Sequence, residues 1–209
     1  MLKYLQKETE SELKNEYSHH ERFKIKIRKS TEEDRVLFLP FAFDDDMYQI
    51  DVYTKGWEKR YYEVLFGITN NYESIMSVCR NYLEGLEWTF DYYCGNQVSW
   101  VWKYEYNYGP LFEDLIKLVP DFSTKMCNAD VISRLDAQTL LAYVMPKDGL
   151  RYLKPDVYEY VIKKYGHIYK EESMELQMAF TRFFWESKLR LSPVNIMTLQ
   201  KDIKEIVCQ

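Results

Sequence analysis

Glycine and proline are scarce in this chain, at 7 and 6 of 209 residues. So few breaks argue against a many-turned β protein and for long helices. Cysteine is scarce too. Cys79, Cys94, Cys127 and Cys208 form no CxxC pair, and the only histidines are His19, His20 and His167. That leaves no zinc-ligand spacing and points to reduced thiols inside a cell. A basic excess is also missing. The net charge is −5, whereas a free-standing nucleic-acid binder normally carries surplus Lys and Arg. Contact with a polyanion therefore has to be local, or shared with a basic partner. No apolar run approaches membrane-spanning length, and the N-terminus lacks a signal-peptide core. The expectation is a soluble intracellular protein, cytoplasmic or nuclear, with no membrane partner.

What the chain does have is apolar and aromatic material. Hydrophobic residues make up 46% and aromatics 17%, with 19 tyrosines. That suffices for a sizeable core with polar-tipped rings at its edges. Residues 1–35 mix charges of both signs and read as a charged tether or helix. Within them Phe23, Ile25 and Ile27 alternate as one short strand would. Residues 36–43 (VLFLPFAF) are an apolar run broken by Pro40, which suits an edge strand or a segment docking into another surface.

Residues 57–66 (WEKRYYEVLF) read as a short helix or an extended aromatic segment. The clearest helix covers 71–94, where Ile75, Cys79, Tyr82, Leu86, Phe90 and Tyr93 recur at steps of three and four as one apolar stripe. Asn71 suits its N-cap and Gly95 its left-handed C′ position. Gly85 inside it costs about 1 kcal/mol relative to Ala, which close approach of another backbone would explain. From Val98 the rhythm changes to every second residue, through Trp100, Trp102, Tyr104, Tyr106 and Tyr108. That spacing predicts an aromatic-faced extended segment.

Gly109-Pro110 starts the helix LFEDLIKL, with Pro110 in its first turn and Pro120 ending it. Asp136 caps AQTLLAYVM, Pro155 starts DVYEYVIKKY, and Gly166 closes it. Met174, Met178, Thr181 and Trp185 continue at helical steps. Ser192-Pro193 opens a last helix with Ile196, Leu199, Ile203 and Ile206 as its stripe. The expected fold class is mainly α: a multi-helix region over 36–209, preceded by a short irregular or β N-terminal portion.

Several segments together carry a family signature. Tyr82-Leu83-Glu84-Gly85-Leu86-Glu87-Trp88, Tyr92-Tyr93-Cys94-Gly95 and Ser99-Trp100-Val101-Trp102-Lys103-Tyr104-Glu105-Tyr106-Asn107-Tyr108-Gly109-Pro110 resemble the second sequence block of the XRN family of 5′→3′ exoribonucleases. Asp114 stands where that block has an acidic residue before a helix. Gly56-Trp57 with Arg60-Tyr61-Tyr62 and Phe66 resembles the run-in. Leu135-Asp136-Ala137-Gln138-Thr139-Leu140-Leu141 with Met145-Pro146, and Trp185-Glu186 with Leu191-Ser192-Pro193, resemble later elements. The resemblance covers about residues 55–195, and its tryptophan spacing makes it specific. Four positions depart from the pattern: Glu105 for Pro, Asn107 for His, Gly109 for Ala and Asp136 for Pro.

The resemblance implies the helical middle region of such an enzyme. It implies a metal-dependent catalytic partner domain, from the same gene or a separate chain, and single-stranded 5′-monophosphorylated RNA as substrate. Two Mg²⁺ ions would be held in that partner, clamping the attacking and leaving oxygens. No segment here resembles the family's acidic catalytic block, so no cofactor is expected in this chain.

Each candidate has a plainer reading. Asp44, Asp45 and Asp46 are a metal site or a solvated acidic turn, and adjacent carboxylates alone do not converge on two metals. Trp100, Trp102, Tyr104, Tyr106 and Tyr108 stack on unpaired bases or fill a core. Trp88 and Arg60 join them as contact candidates for RNA or the catalytic domain, against packing and a solvated cation. Glu84, Gly85, Gly95, Pro110 and Asp114 are structural positions of the motif. Lys24, Lys26, Arg28, Lys29, Lys163 and Lys164 are weak basic patches, or solvated faces. The alternative function is a non-catalytic helical module, derived from such an enzyme, that binds protein.

With no catalytic block, the chain alone should be inactive. Incubated with 5′-monophosphorylated RNA and Mg²⁺ it should release no mononucleotides, and processive release would overturn this reading.

Overall fold

The computed structural model describes residues 7, 10–19, 22, 31–41, 45–119, 125, 126, 135–169, 175–190 and 192–207. The chain divides into two compact units. The first comprises Met1–Phe90, Tyr104–Cys127 and Gln177–Lys188, and the second Asp91–Lys103, Asn128–Leu176 and Leu189–Gln209. The described residues are mainly α. A helix over residues 10–19 (α1) is followed by α2 (Glu32–Leu37), α3 (Asp45–Ile50), α4 (Trp57–Phe66), α5 (Tyr72–Tyr93), α6 (Phe112–Leu118), α7 (Ala137–Val144), α8 (Pro155–Tyr165) and α9 (Ile196–Val207). A two-stranded sheet pairs β1 (Glu175–Gln177) with β2 (Lys188–Arg190).

The first unit is built around α4. Trp57, Tyr61, Tyr62 and Leu65 are buried together with Ile50, Val52, Tyr108, Leu111 and Ala179. Gly56 and Gly67 bracket the helix, both left-handed at φ 84° and 68°, a conformation that costs glycine little. Arg60 turns back along the chain. Its Nε donates to the Ile50 carbonyl at 2.9 Å, Nη1 to Lys55 at 3.2 Å, and Nη2 to Asp51 at 3.1 Å and Thr54 at 3.0 Å. One guanidinium thus takes up the carbonyls left over where α3 ends.

The buried phenols fix the start of α6. Tyr61 donates to the Gly109 carbonyl at 2.9 Å. Tyr62 accepts from the Leu111 N–H at 3.0 Å and donates to Asp114 Oδ2 at 3.0 Å. Leu111 is the N-cap of α6 and makes no side-chain cap; Tyr62 takes up the N–H of Leu111 itself. Pro110 lies just before the cap, one step outside the first turn expected for it.

The second unit packs α7, α8 and α9 over Ala142, Leu150, Leu153, Val157, Val161, Leu199 and Ile203. Asp136 caps α7 by accepting from Gln138 N–H at 2.8 Å and Thr139 Oγ1 at 2.6 Å. Pro155 begins α8, and Gly166 follows it in a right-handed conformation, φ −57°, that leads into a 3-10 turn over Gly166–Tyr169. Asn195 caps α9 through the Thr198 N–H at 3.0 Å, so this helix starts a little beyond Ser192-Pro193. Tyr160 and Lys164 both bond to Asp202, tying α8 to α9.

Three expectations need correction. The run from Val36 is no edge strand: α2 ends at Leu37 and a 3-10 turn covers Leu39–Phe41. Docking is what it does instead, with the Phe38 ring 5.4 Å from Phe183. Among the described residues the β element is β1–β2, far from the N-terminus; the alternating Phe23, Ile25 and Ile27 lie outside the described residues. The helical spacing through Met178, Thr181 and Trp185 does not make a helix. That stretch is a turn at Met178–Thr181 and a 3-10 turn at Phe184–Glu186 between the strands. Threonine and clustered aromatics are indifferent helix formers, and the Glu186 carboxylate takes the N–H groups of Arg182 at 2.8 Å and Phe183 at 3.2 Å.

Two substitutions test these ties by urea unfolding. Tyr62→Phe leaves the Leu111 N–H buried without its acceptor and should cost about 1–3 kcal/mol. Asp136→Ala should cost about 1 kcal/mol, the usual loss of an N-cap.

Candidate functional site

The signature block occupies α5 and the segment after it. Asn71 caps α5 by accepting from the Ser74 N–H at 3.2 Å. Gly95 follows the helix at φ 75°, its N–H on the Tyr92 carbonyl at 3.2 Å, with Asn96 N–H on Asp91 at 2.9 Å. These bonds take up carbonyls that the helix end leaves open. The apolar stripe of α5 changes character along its length. Ile75 and Tyr82 are half-buried and Cys79 is buried, but Leu86, Phe90 and Tyr93 are 52%, 68% and 82% exposed. Glu84 accepts from Asn81 Nδ2 at 3.1 Å, the Gly85 carbonyl accepts Thr89 Oγ1 at 2.7 Å, and Trp88 is half-buried.

The aromatic run divides into two parts. From Trp102 to Tyr106 the backbone forms no regular element and it bends at Asn107 and Tyr108, but burial alternates along the run as a period of two requires. Tyr104, Tyr106 and Tyr108 belong to the first unit. Tyr104 packs edge-on against Tyr82 at 5.8 Å and Tyr106 at 5.5 Å, and its hydroxyl donates to the Tyr108 carbonyl at 2.7 Å. Tyr106 meets Phe66 at 5.7 Å. Tyr108 is buried, with the Lys188 ammonium 3.7 Å over its ring, a cation–π contact. Burial, and then the negative charge of Asp46, push the Tyr108 phenol up to about 12. Burial also holds the Lys188 ammonium below its ordinary range. Trp100, in the second unit, lies within the turn from Ser99 to Trp102, which breaks the alternation. It stays 52% exposed, edge-on to Tyr92 at 6.2 Å.

The departures from the family pattern are accommodated locally. Glu105 donates its backbone N–H to Asn81 Oδ1 at 2.9 Å, a bond that proline could not make. Asn107 Nδ2 bonds to Gln177 Oε1. A Cβ added at Gly109 would meet Tyr82 at 3.5 Å, an ordinary contact. Asp136 replaces a rigid proline with a hydrogen-bonded cap. Asp114 accepts from Tyr62 and, at 2.8 Å, from Lys117.

One exposed ring lies outside the contact candidates that the sequence offers, where Trp185 stands only on a helical spacing and in the Trp-Glu element. Trp185 is 65% exposed and stacks on Phe183 with centroids 4.4 Å apart and planes 10° off parallel. Its resemblance to the family's Trp-Glu element was the available signal.

Among the described residues no group of three or more His, Cys, Asp or Glu side chains converges to hold an ion. Asp45 and Asp46 start α3, and Asp44 lies outside the described residues. The described residues therefore do not fit the magnesium centre that the resemblance implies for its catalytic block. No helix among the described residues is long and apolar enough to cross a membrane.

The family description "Xrn1 helical domain" matches residues 3–207. Among curated relatives, 5'-3' exoribonuclease 2 of Cryptococcus neoformans is 36% identical over 73 residues, which is 34% of this chain and 6% of the relative. The same-named protein of Debaryomyces hansenii is 32% identical over 79 residues, 36% of this chain and 8% of the relative. 5'-3' exoribonuclease 1 of Saccharomyces cerevisiae is 36% identical over 62 residues, 29% of this chain and 4% of the relative. The chain thus matches only a small fraction of each relative's length. Since the family match runs almost from end to end, and the capped α5 with its tyrosine-lined extension carries the signature, this chain belongs to the Xrn1 helical domain family.

Proposed function

We propose that this chain serves as the helical region of a 5′→3′ exoribonuclease in RNA degradation. On this reading it borders the path of single-stranded RNA and braces a metal-dependent catalytic domain that supplies the hydrolysis. The observation that carries it is the division of the aromatics. Arg60 and the tyrosines from Tyr104 to Tyr108 are engaged in holding the first unit together, while the indoles of Trp100 and Trp185 keep more than half their surface open to solvent. An open ring on a fixed support is what an unpaired base stacks on. The exposed stretch Leu86, Phe90 and Tyr93 of α5 is the surface offered to the catalytic domain, since an apolar helix face is stable when covered. Magnesium belongs to that domain.

A second reading, a module that binds protein alone, draws support from the net charge of −5. The two are separated by fluorescence anisotropy at low salt with a 3′-labelled, 5′-monophosphorylated single-stranded RNA. Trp100→Ala and Trp185→Ala should each weaken binding by about 1–3 kcal/mol, the range for loss of one stacked base, with unchanged circular dichroism. Binding that ignores both substitutions would overturn the stacking role. No binding by the parent chain would favour the protein-only module.

A further inference from the structure

The strongest unassigned feature is an arginine already occupied by an internal anion. Arg182 of the first unit holds the Glu16 carboxylate of α1 with two donors: Nε reaches Oε2 at 3.1 Å, and Nη2 bonds to Oε1. The pair bridges 166 residues of sequence. As a stabilising device it is modest, because both side chains are substantially exposed and such pairs contribute little in water. The two-pronged geometry is, however, the one a guanidinium offers equally to carboxylate and to phosphate. Arg182 is also held ready. The Glu186 carboxylate takes its backbone N–H and that of Phe183. Phe183 is wedged between Phe38 at 5.4 Å and Trp185 at 4.4 Å. A cation on a fixed backbone, three residues before an open indole, combines the two chemistries of a nucleotide: phosphate and base.

We propose that Glu16 is a built-in competitor for an RNA-phosphate site at Arg182, so that its carboxylate fills the site at rest and yields when the polyanion arrives. This rests on the RNA-binding reading above. Displacement needs no unfolding of the core. Besides the Arg182 pair, α1 is held by Tyr53, whose hydroxyl bonds to Ser18 Oγ at 2.6 Å and to the Lys14 carbonyl at 2.9 Å, and by Leu13 and Tyr17, which pack against the core of the first unit. The Glu16 side chain, set between these anchors, is the part that swings away from Arg182, and the helix backbone stays in place.

The test compares the full chain with Glu16→Gln, Arg182→Gln, the double variant and Glu12→Gln, using the same labelled RNA with a 5′-phosphate or a 5′-hydroxyl. Glu16→Gln should tighten binding roughly two- to five-fold, the worth of one exposed pair. Arg182→Gln should weaken binding and abolish the gain. A gain confined to phosphorylated ends would identify the terminal phosphate, and a gain on both RNAs an internal phosphodiester. An unchanged affinity in Glu16→Gln overturns the proposal. So does a gain that survives in the double variant, or one matched by Glu12→Gln, which removes the same charge elsewhere on α1. If the parent chain binds no RNA, the broader reading fails by itself. The anion site is then judged with inorganic pyrophosphate: the Arg182 Nε–H resonance should move at lower concentration in Glu16→Gln than in the parent, and equal titrations would refute it.

Discussion

A buried phenol needs a hydrogen-bond partner, and in the first unit that requirement dictates where the backbone goes. Tyr61 and Tyr62 lie side by side on α4 with their rings in the core. Their hydroxyls reach the Gly109 carbonyl, the Leu111 N–H and the Asp114 carboxylate, so the turn into α6 is anchored at three points by two residues. Tyr104 repeats the device on the Tyr108 carbonyl. Burial pushes the Tyr62 phenol well above its ordinary range, and the Asp114 charge adds to it. It stays a neutral donor, as the bond to a carboxylate requires.

This anchoring bears on function by deciding which rings are spent. A tyrosine whose ring is packed and whose hydroxyl is committed has no face left for a base. Tyr104 is of this kind, and the rings of Tyr106 and Tyr108 are packed, while Trp100 and Trp185 keep more than half their surface exposed. The same distinction applies to cations. Arg60 is held by four backbone carbonyls, Ile50 to Lys55, whereas Arg182 is paired with the partly exposed carboxylate of Glu16. Bonds to a loop's own backbone last as long as the fold, and an exposed ion pair can be exchanged for another anion.

Much of this was legible in the sequence. Asn71, Gly95 and Asp136 act at the helix ends where their side chains or φ angles suit them, and the stripe of α9 and the first half of that of α5 turn inward on the expected residues. Helix ends and stripes are written in residues three or four apart, so a local reading finds them. The segment from Met178 to Trp185 was misread because the same spacing of large residues also occurs by chance in a turn. What decided between them was a capping carboxylate, Glu186, and a Phe180 held at φ 57°. The Val36 run was legible only as an edge strand or a docking segment, because the partner that decides for docking, Phe183, is remote in sequence.

The sequence by itself determined the family, the mainly helical class and the period-two character of the tyrosine run, because all three are carried by residue type and short spacing. Tertiary structure alone decided that the stripe of α5 is covered in its first half and bare in its second, that Trp185 faces solvent, and that Arg182 meets Glu16. A repeating pattern gives a face its chemistry. Whether that face is covered depends on which distant segment arrives there, and no spacing along the chain encodes the arrival.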